Sequence, residues 1–279
     1  MREAGYTPRR GLERRIIVIT GGCSGIGRQL AEDYLAAGAT VVLVSDRADR
    51  LATAVTELRL KYPTVESFNC DVADSPAVAA MCQYVLRTHG CPHILVNSAG
   101  FATYRTIEES SLQELERLVD VNFLGAVRCS KGFMPSMIGG RAGTIVNIAS
   151  LAGRLVMTPN GTYSAAKHAL VAWSIAMRWE LARFGINVNV ICPGRVETAF
   201  FDHETFAMRA PRAEARFTVP VHSVSQQTIR AIKRNRGITY IPAILGPAIW
   251  MVNAFQPISG ILYRRLMLSR IESVYQRGR

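Results

Sequence analysis

Three residues in the middle of this chain, Ser150, Tyr163 and Lys167, have the types and spacing for proton transfer. Tyr163 and Lys167 stand four apart, so on a helix they share one face, one turn apart. A phenol, with an ordinary pKa of about 10, is a poor base at neutral pH. An ammonium or another positive charge held beside it favours the phenolate and lowers that value. Lysine is scarce here, 4 against 29 arginines, so its presence at 167 is less readily put down to surface filling. Ser150 ends the run IVNIAS and offers a hydroxyl to hold the oxygen that gains or loses the proton. A Y-x-x-x-K spacing is common by chance, and its meaning depends on what precedes it.

What precedes it is TGGCSGIG at residues 20–27, directly after an apolar run and directly before a helical pattern. Gly21 permits a tight turn, Gly25 lets backbone approach a pyrophosphate, and Gly27 allows close helix–sheet packing. Cys23, Ser24 and Ile26 complete the turn, and a helix starting near Ile26 aims free N–H groups and its positive dipole end at phosphates. Asp46, 19 residues after Gly27, is placed to hydrogen-bond an adenosine ribose 2′-hydroxyl and to repel a 2′-phosphate. Its neighbour Arg47 is able to grip that phosphate instead. The plain alternative is that Asp46 and Arg47 form a solvated turn. Asp71 and Val72 follow the third strand, where the carboxylate is placed for an adenine amino group. Capping the next helix is the other use for Asp71, although Asp74 suits that better. In NSAG, Asn97, Ala99 and Gly100 leave room for a dinucleotide at the end of the fourth strand.

Elements that would position these groups alternate along the chain. Strands are expected at Arg15–Thr20, Thr40–Ser45, Val65–Cys70, His93–Asn97, Thr144–Ala149 and Ile186–Cys192, and a short one at Ile238–Ile241. Helices are expected at Ile26–Ala37, Ala48–Lys61, Pro76–His89, Leu112–Met134, Gly161–Phe184 and Ser223–Arg234. Strands so spaced need crossovers, which gives an α/β, doubly wound parallel sheet. One catalytic domain is expected over 15–242, after an N-terminal arm (1–14) and before a basic, apolar C-terminal extension (243–279).

Seven motifs, TGGCSGIG, CDVAD, NSAG, VNFLG, IVNIAS, YSAAK and PGRVET, follow in this order over about residues 14–200. In them the chain resembles the short-chain dehydrogenase/reductase family in its compact single-domain form. That resemblance implies a Rossmann-type sheet and interconversion of a secondary alcohol and a ketone. Tyr163 would be the proton-transfer residue, and Lys167 would lower its pKa and hold the nicotinamide ribose. Ser150 would position the substrate oxygen and Asn122 would anchor a relay water. In PGRVET, Thr198 would hold the nicotinamide carboxamide, with Pro193, Gly194 and Val196 lining the cofactor. Three departures stand out: Ser98 replaces the usual second Asn of NSAG, Ser24 stands where NADP-preferring members carry a basic residue, and Asp46 where they often carry Arg. NAD is therefore favoured over NADP. The resemblance also implies a homo-oligomer built on the helix carrying Tyr163.

Hydrophobic residues make up 49% of the 279, enough for a large core and incompatible with a disordered chain. Of the net charge of +12, residues 1–204 hold +2 (21 basic, 19 acidic) and residues 205–279 hold +10 (12 basic, 2 acidic). Six scattered cysteines without metal-ligand spacing read as free thiols in a reducing, cytoplasmic setting, with no zinc site. Over Glu197–Val224, the expected substrate lid, Phe200, Phe201, Phe206, Met208 and Phe217 suit a lipophilic small molecule or simply pack the lid. Gly237–Tyr263 is uncharged but interrupted by prolines. Core or subunit packing, interfacial membrane contact and a membrane span are the three readings of it. Nucleic-acid binding finds no recognised module. The competing functions are a 3-oxoacyl-type reductase and a non-catalytic nucleotide-binding scaffold, the latter predicting cofactor binding without turnover.

Overall fold

A computed structural model of the chain describes residues 14–198, 200, 205–206, 218–255, 264, 268 and 271–272. The expected arm before residue 14, the lid residues Phe201, Met208 and Phe217, and most of the tail beyond Phe255 lie outside the described residues. Seven parallel strands form one sheet in the order β3-β2-β1-β4-β5-β6-β7. They are β1 (Ile16–Thr20), β2 (Thr40–Ser45), β3 (Val65–Asn69), β4 (Ile94–Asn97), β5 (Gly143–Ile148), β6 (Ile186–Pro193) and β7 (Ile238–Ile241). The chain runs outward from β1 to β3, then returns to lay β4 against the other side of β1. That reversal opens a crevice beyond the carboxyl ends of β1 and β4, where Thr20 pairs with Asn97.

Helices cover both faces: α1 (Gly25–Ala36), α2 (Ala48–Arg59), α3 (Ser75–His89), α4 (Leu112–Val119), α5 (Gly125–Gly140), α6 (Gly161–Ala182), α7 (Val221–Lys233) and α8 (Leu245–Ala254). Period-two alternation in β1 sends Ile17 and Ile19 to a core shared with Leu30, Tyr34, Leu43 and Leu58. Val18 points the other way, to Met81, Phe133, Met137 and Met177. Strands buried on both faces read as continuous apolar runs, which is why IIVIT and TVVLVS were readable as parallel strands. As expected, Asp74 caps α3, its carboxylate accepting from the Ala77 N–H at 3.3 Å ahead of Pro76.

The single helix expected over Leu112–Met134 is instead three pieces. After α4 comes one π-turn, Asp120–Leu124, and α5 then runs through Pro135 to Gly140. Pro135 removes one helical hydrogen bond, but Phe133 and Met137 on either side are both fully buried and hold the helix to the sheet.

A buried polar ladder ties the layers together behind the crevice. The Asn97 amide donates to Ser130 Oγ (3.0 Å) and Asn147 Oδ1 (2.8 Å). Asn147 donates to Ser174 Oγ (2.7 Å), linking β4, β5, α5 and α6. Removing one member strands the others in a dry interior. Asn147→Ala is expected to cost about 3 kcal/mol of stability by urea denaturation; an unchanged midpoint would show that the ladder contributes nothing.

Candidate active site

The glycine turn is shaped by close backbone contacts. Gly21 (φ +64°) lies so near the loop after β4 that a Cβ there would sit 2.9 Å from the Ala99 Cα. A Cβ on Gly27 would run into the Gly21 carbonyl. Thr20 fastens the same corner, its hydroxyl accepting from the backbone N–H groups of Ser98 (3.1 Å) and Ala99 (3.2 Å). Sequence reasoning passed over Thr20; a polar, β-branched residue closing an apolar strand was the available signal.

Around this turn stand the other expected cofactor residues. Cys23 Sγ donates to Ser45 Oγ at 3.2 Å, and Ser45 Oγ also accepts from the Arg47 N–H. Ser24 precedes α1 with no side-chain capping bond, and Ile26 packs against the core. Asp46 and Arg47 are exposed at the end of β2. Asp71 accepts from Arg117 (2.8 Å) and from the Ala73 N–H (2.9 Å), so its carboxylate is engaged by an arginine the sequence reading did not single out. Val72 is buried against Gly125. Thr198 reaches over from the far side of the crevice, its Cγ2 being 3.3 Å from where a Gly25 Cβ would lie. Pro193 ends β6, the Gly194 N–H donates to the Ile241 carbonyl at 2.8 Å, and Val196 bridges to Val219.

Ser150, Tyr163, Lys167 and Asn122 converge at one end of this crevice. Lys167 is buried, and its ammonium donates to the Ile148 carbonyl at 3.0 Å and lies 5.7 Å from the centre of the Tyr163 ring. Ser150 follows β5, its hydroxyl accepting from the Ala152 N–H at 3.1 Å and reaching the Tyr163 phenol. Asn122 sits in the π-turn, its amide donating to the carbonyls of Phe101 (2.8 Å) and Leu118 (3.0 Å). Among the described residues its buried Oδ1 has no hydrogen-bond partner. Gly100 separates it from Lys167: a Cβ there would lie 2.6 Å from Asn122 Oδ1 and 3.5 Å from Lys167 Nζ. A π-turn of this kind re-aims one side chain of a helix, and nothing in VNFLG itself signals it.

Burial dominates the electrostatics. It pushes the Tyr163 phenol up to about 12, against a smaller downward pull from the Ser150 hydroxyl. It pushes Lys167 down to about 8. The expected lowering of the phenol by its lysine does not set its value in the protein alone, where enclosure disfavours both charged forms. Beneath them Cys192 is also raised to about 12, chiefly by burial.

Aromatic rings roof the site. Phe200 lies 5.9 Å from the Tyr163 ring and Phe206 5.4 Å from Tyr104, all packed with Ala102. Beside Tyr163 is a cavity of about 10 Å³, with Thr103, Arg105, Thr106, Asn160 and Thr162 in its wall, room for a single small polar group.

This fold and site define the class. The family model for short chain dehydrogenases matches residues 15–208, and the chain belongs to the short-chain dehydrogenase/reductase family of oxidoreductases. A dehydrogenase/reductase SDR family protein 7-like of Anopheles gambiae is 33% identical over 195 residues, covering 68% of this chain and 62% of that relative. The ketoacyl reductase HetN of Nostoc sp. is 32% identical over 222 residues, 80% of this chain and 76% of that one. A short-chain dehydrogenase/reductase from Burkholderia phymatum, solved in complex with NAD, superposes with a TM-score of 0.81 at 27% identity, covering 89% of this chain and 96% of that chain.

Lys167 carries its charge at a cost to the fold. Because an ordinary lysine titrates near 10.5 and this one near 8, the unfolded chain holds a proton between those values that the folded chain does not. The penalty is full below pH 8 and vanishes above about 10.5. The stability of Lys167→Met relative to the wild type should therefore fall by about 3 kcal/mol as pH rises through that window, measured by urea denaturation. A difference independent of pH would contradict the shift.

Proposed function

We propose that the protein is an NAD(P)-dependent oxidoreductase that interconverts a secondary alcohol and a ketone on a lipophilic small molecule, with Tyr163 as the proton-transfer residue. The observation that carries this reading is the convergence of Tyr163, Lys167, Ser150 and the orphaned Asn122 Oδ1 at the end of a crevice headed by the glycine turn.

The residues fit a nicotinamide dinucleotide. A Cβ at Gly21 or Gly27 would meet backbone, so the turn leaves its amide edge bare for a pyrophosphate. Asp46 is exposed where the adenosine ribose would be held, which favours NAD, and Arg47 beside it is the competing claim for NADP. Asp71 and Val72 would flank the adenine, and Asn97, Ala99, Gly100, Pro193, Gly194, Val196 and Thr198 would line the remainder. A cofactor bound there supplies or accepts the hydride.

The chain's own residues handle the proton. Ser150 holds the substrate oxygen beside the Tyr163 hydroxyl. With a pKa near 12 the phenol is protonated at neutral pH and ready to donate as a carbonyl is reduced. In the opposite direction it must act as a base, helped by positive charge close by. Lys167 passes the proton toward Asn122 across Gly100, the gap a side chain would close. Phe200 and Phe206 make the roof apolar, which supports a lipophilic substrate. The partners proposed with this activity are that small molecule, a second copy of the chain and a membrane surface.

One observation favours a second reading. The Nostoc relative is named a ketoacyl reductase, and the surplus of 10 positive charges over residues 205–279 suits an acidic carrier protein. That reading requires preference for NADPH, and Asp46 argues against it.

Tyr163→Phe should lower turnover of a secondary alcohol or ketone by about 10²–10⁴ while NADH binding changes little. In the wild type, alcohol oxidation should rise with pH above neutrality and ketone reduction should not. Unchanged turnover in the variant would overturn the assignment.

A further inference from the structure

Helix α8 reads LGPAIWMVNA, apolar at every position but Asn253, yet the chain encloses little of it. Ile249 is 2% exposed, whereas Ile244 is 81%, Trp250 64%, Met251 58% and Phe255 54% exposed. A helix apolar all round belongs in a protein core or in lipid, and four large apolar side chains within twelve residues exceed the scattered exposure of ordinary surfaces. No charged residue occurs in Gly237–Tyr263, whereas residues 264–279 hold five arginines against one glutamate. An apolar foot carrying a tryptophan, followed by a cationic stretch, is complementary to an anionic lipid surface. Each arginine near such a surface strengthens binding about fivefold. At ten residues α8 is about 15 Å long, half the thickness of a bilayer core, and no described helix is long and apolar enough to cross a membrane. It would lie in the interface.

Its place in the fold gives the contact a use. The Asn253 amide donates to the Arg154 carbonyl at 3.1 Å, at the end of the turn that starts at Ser150. That bond ties α8 to the segment that leads out of Ser150. We propose that α8 and the basic residues after it dock the protein on an anionic membrane surface, setting the cleft against the lipid so that a lipophilic substrate enters from the bilayer. The docking stands on α8 and the charge pattern alone; the entry of substrate rests on the oxidoreductase reading.

Flotation of the full chain with vesicles tests it. At low salt the wild type should float with phosphatidylcholine–phosphatidylserine vesicles and not with phosphatidylcholine alone. Trp250→Glu/Phe255→Glu should weaken flotation at least tenfold, as should Arg264→Glu/Arg265→Glu. The first pair lies on the exposed face, so turnover of a water-soluble ketone without vesicles should be unchanged and reports folding. A ketone dissolved in the anionic vesicles should be turned over at least tenfold more slowly by that variant. A wild type that stays in solution, or an α8 variant that floats as well as the wild type, would overturn the proposal. So would an α8 variant that changes mass in light scattering with flotation unaltered, because a second copy would then be what covers the face. Absence of turnover on any soluble ketone, with flotation as expected, would count against the oxidoreductase reading and leave the docking in place.

Discussion

The whole carboxyl edge of the sheet depends on how closely three stretches of backbone approach one another where β1, β4 and α1 meet. Gly21 sits against Ala99, Gly27 sits against Gly21, and Thr20 binds the amides of Ser98 and Ala99. A side chain at either glycine would push α1 away from the sheet and blunt the turn. Because the approach is that tight, the end of β4 is held in place, and Gly100 follows at the spot where Asn122 and Lys167 face each other. The distance from the glycine turn to the Tyr163–Lys167 end of the crevice is set by backbone, the least deformable part of the molecule.

On that frame the protein encloses two titratable groups that would each be easier to charge in water. The Tyr163 phenol and the Lys167 ammonium are both shifted toward neutrality, the first upward and the second downward. Their shifts drive the two values apart, from 10.0 and 10.5 to about 12 and about 8, so that enclosure favours the neutral form of each. The same enclosure destabilises the fold at neutral pH, a common feature of residues retained for chemistry. The Ile148 carbonyl accepts from that ammonium and the tyrosine ring lies close to it, and no carboxylate neutralises it among the ion pairs of the described residues. It stays responsive to whatever negative or polar group arrives beside it.

Much of this could be read from residue order. β2 falls where its apolar run places it, because a parallel strand buried on both faces leaves a continuous hydrophobic signal, and the half-buried edge strand β7 also falls at its expected Ile238–Ile241. Tyr163 and Lys167 face the same way because helical spacing demands it. What escaped was long-range. The π-turn holds Asn122 where its amide bonds the Phe101 carbonyl, a contact 21 residues away with no local signature. Arg117 on Asp71 and Thr198 over Gly25 join residues 46 and 173 positions apart. The upward shift of the phenol likewise reflects enclosure, which depends on Phe200 and the chain around it rather than on the Tyr–Lys spacing.

One proposed nicotinamide site would join the glycine turn to the Tyr163–Lys167 pair, with its selectivity set at Asp46. Fluorescence titration of the purified protein with NADH, and separately with NADPH, measures this most directly. Saturable binding of both is expected, with NADH the tighter. Tighter NADPH binding would give the selecting role to Arg47, and binding of neither would contradict the account.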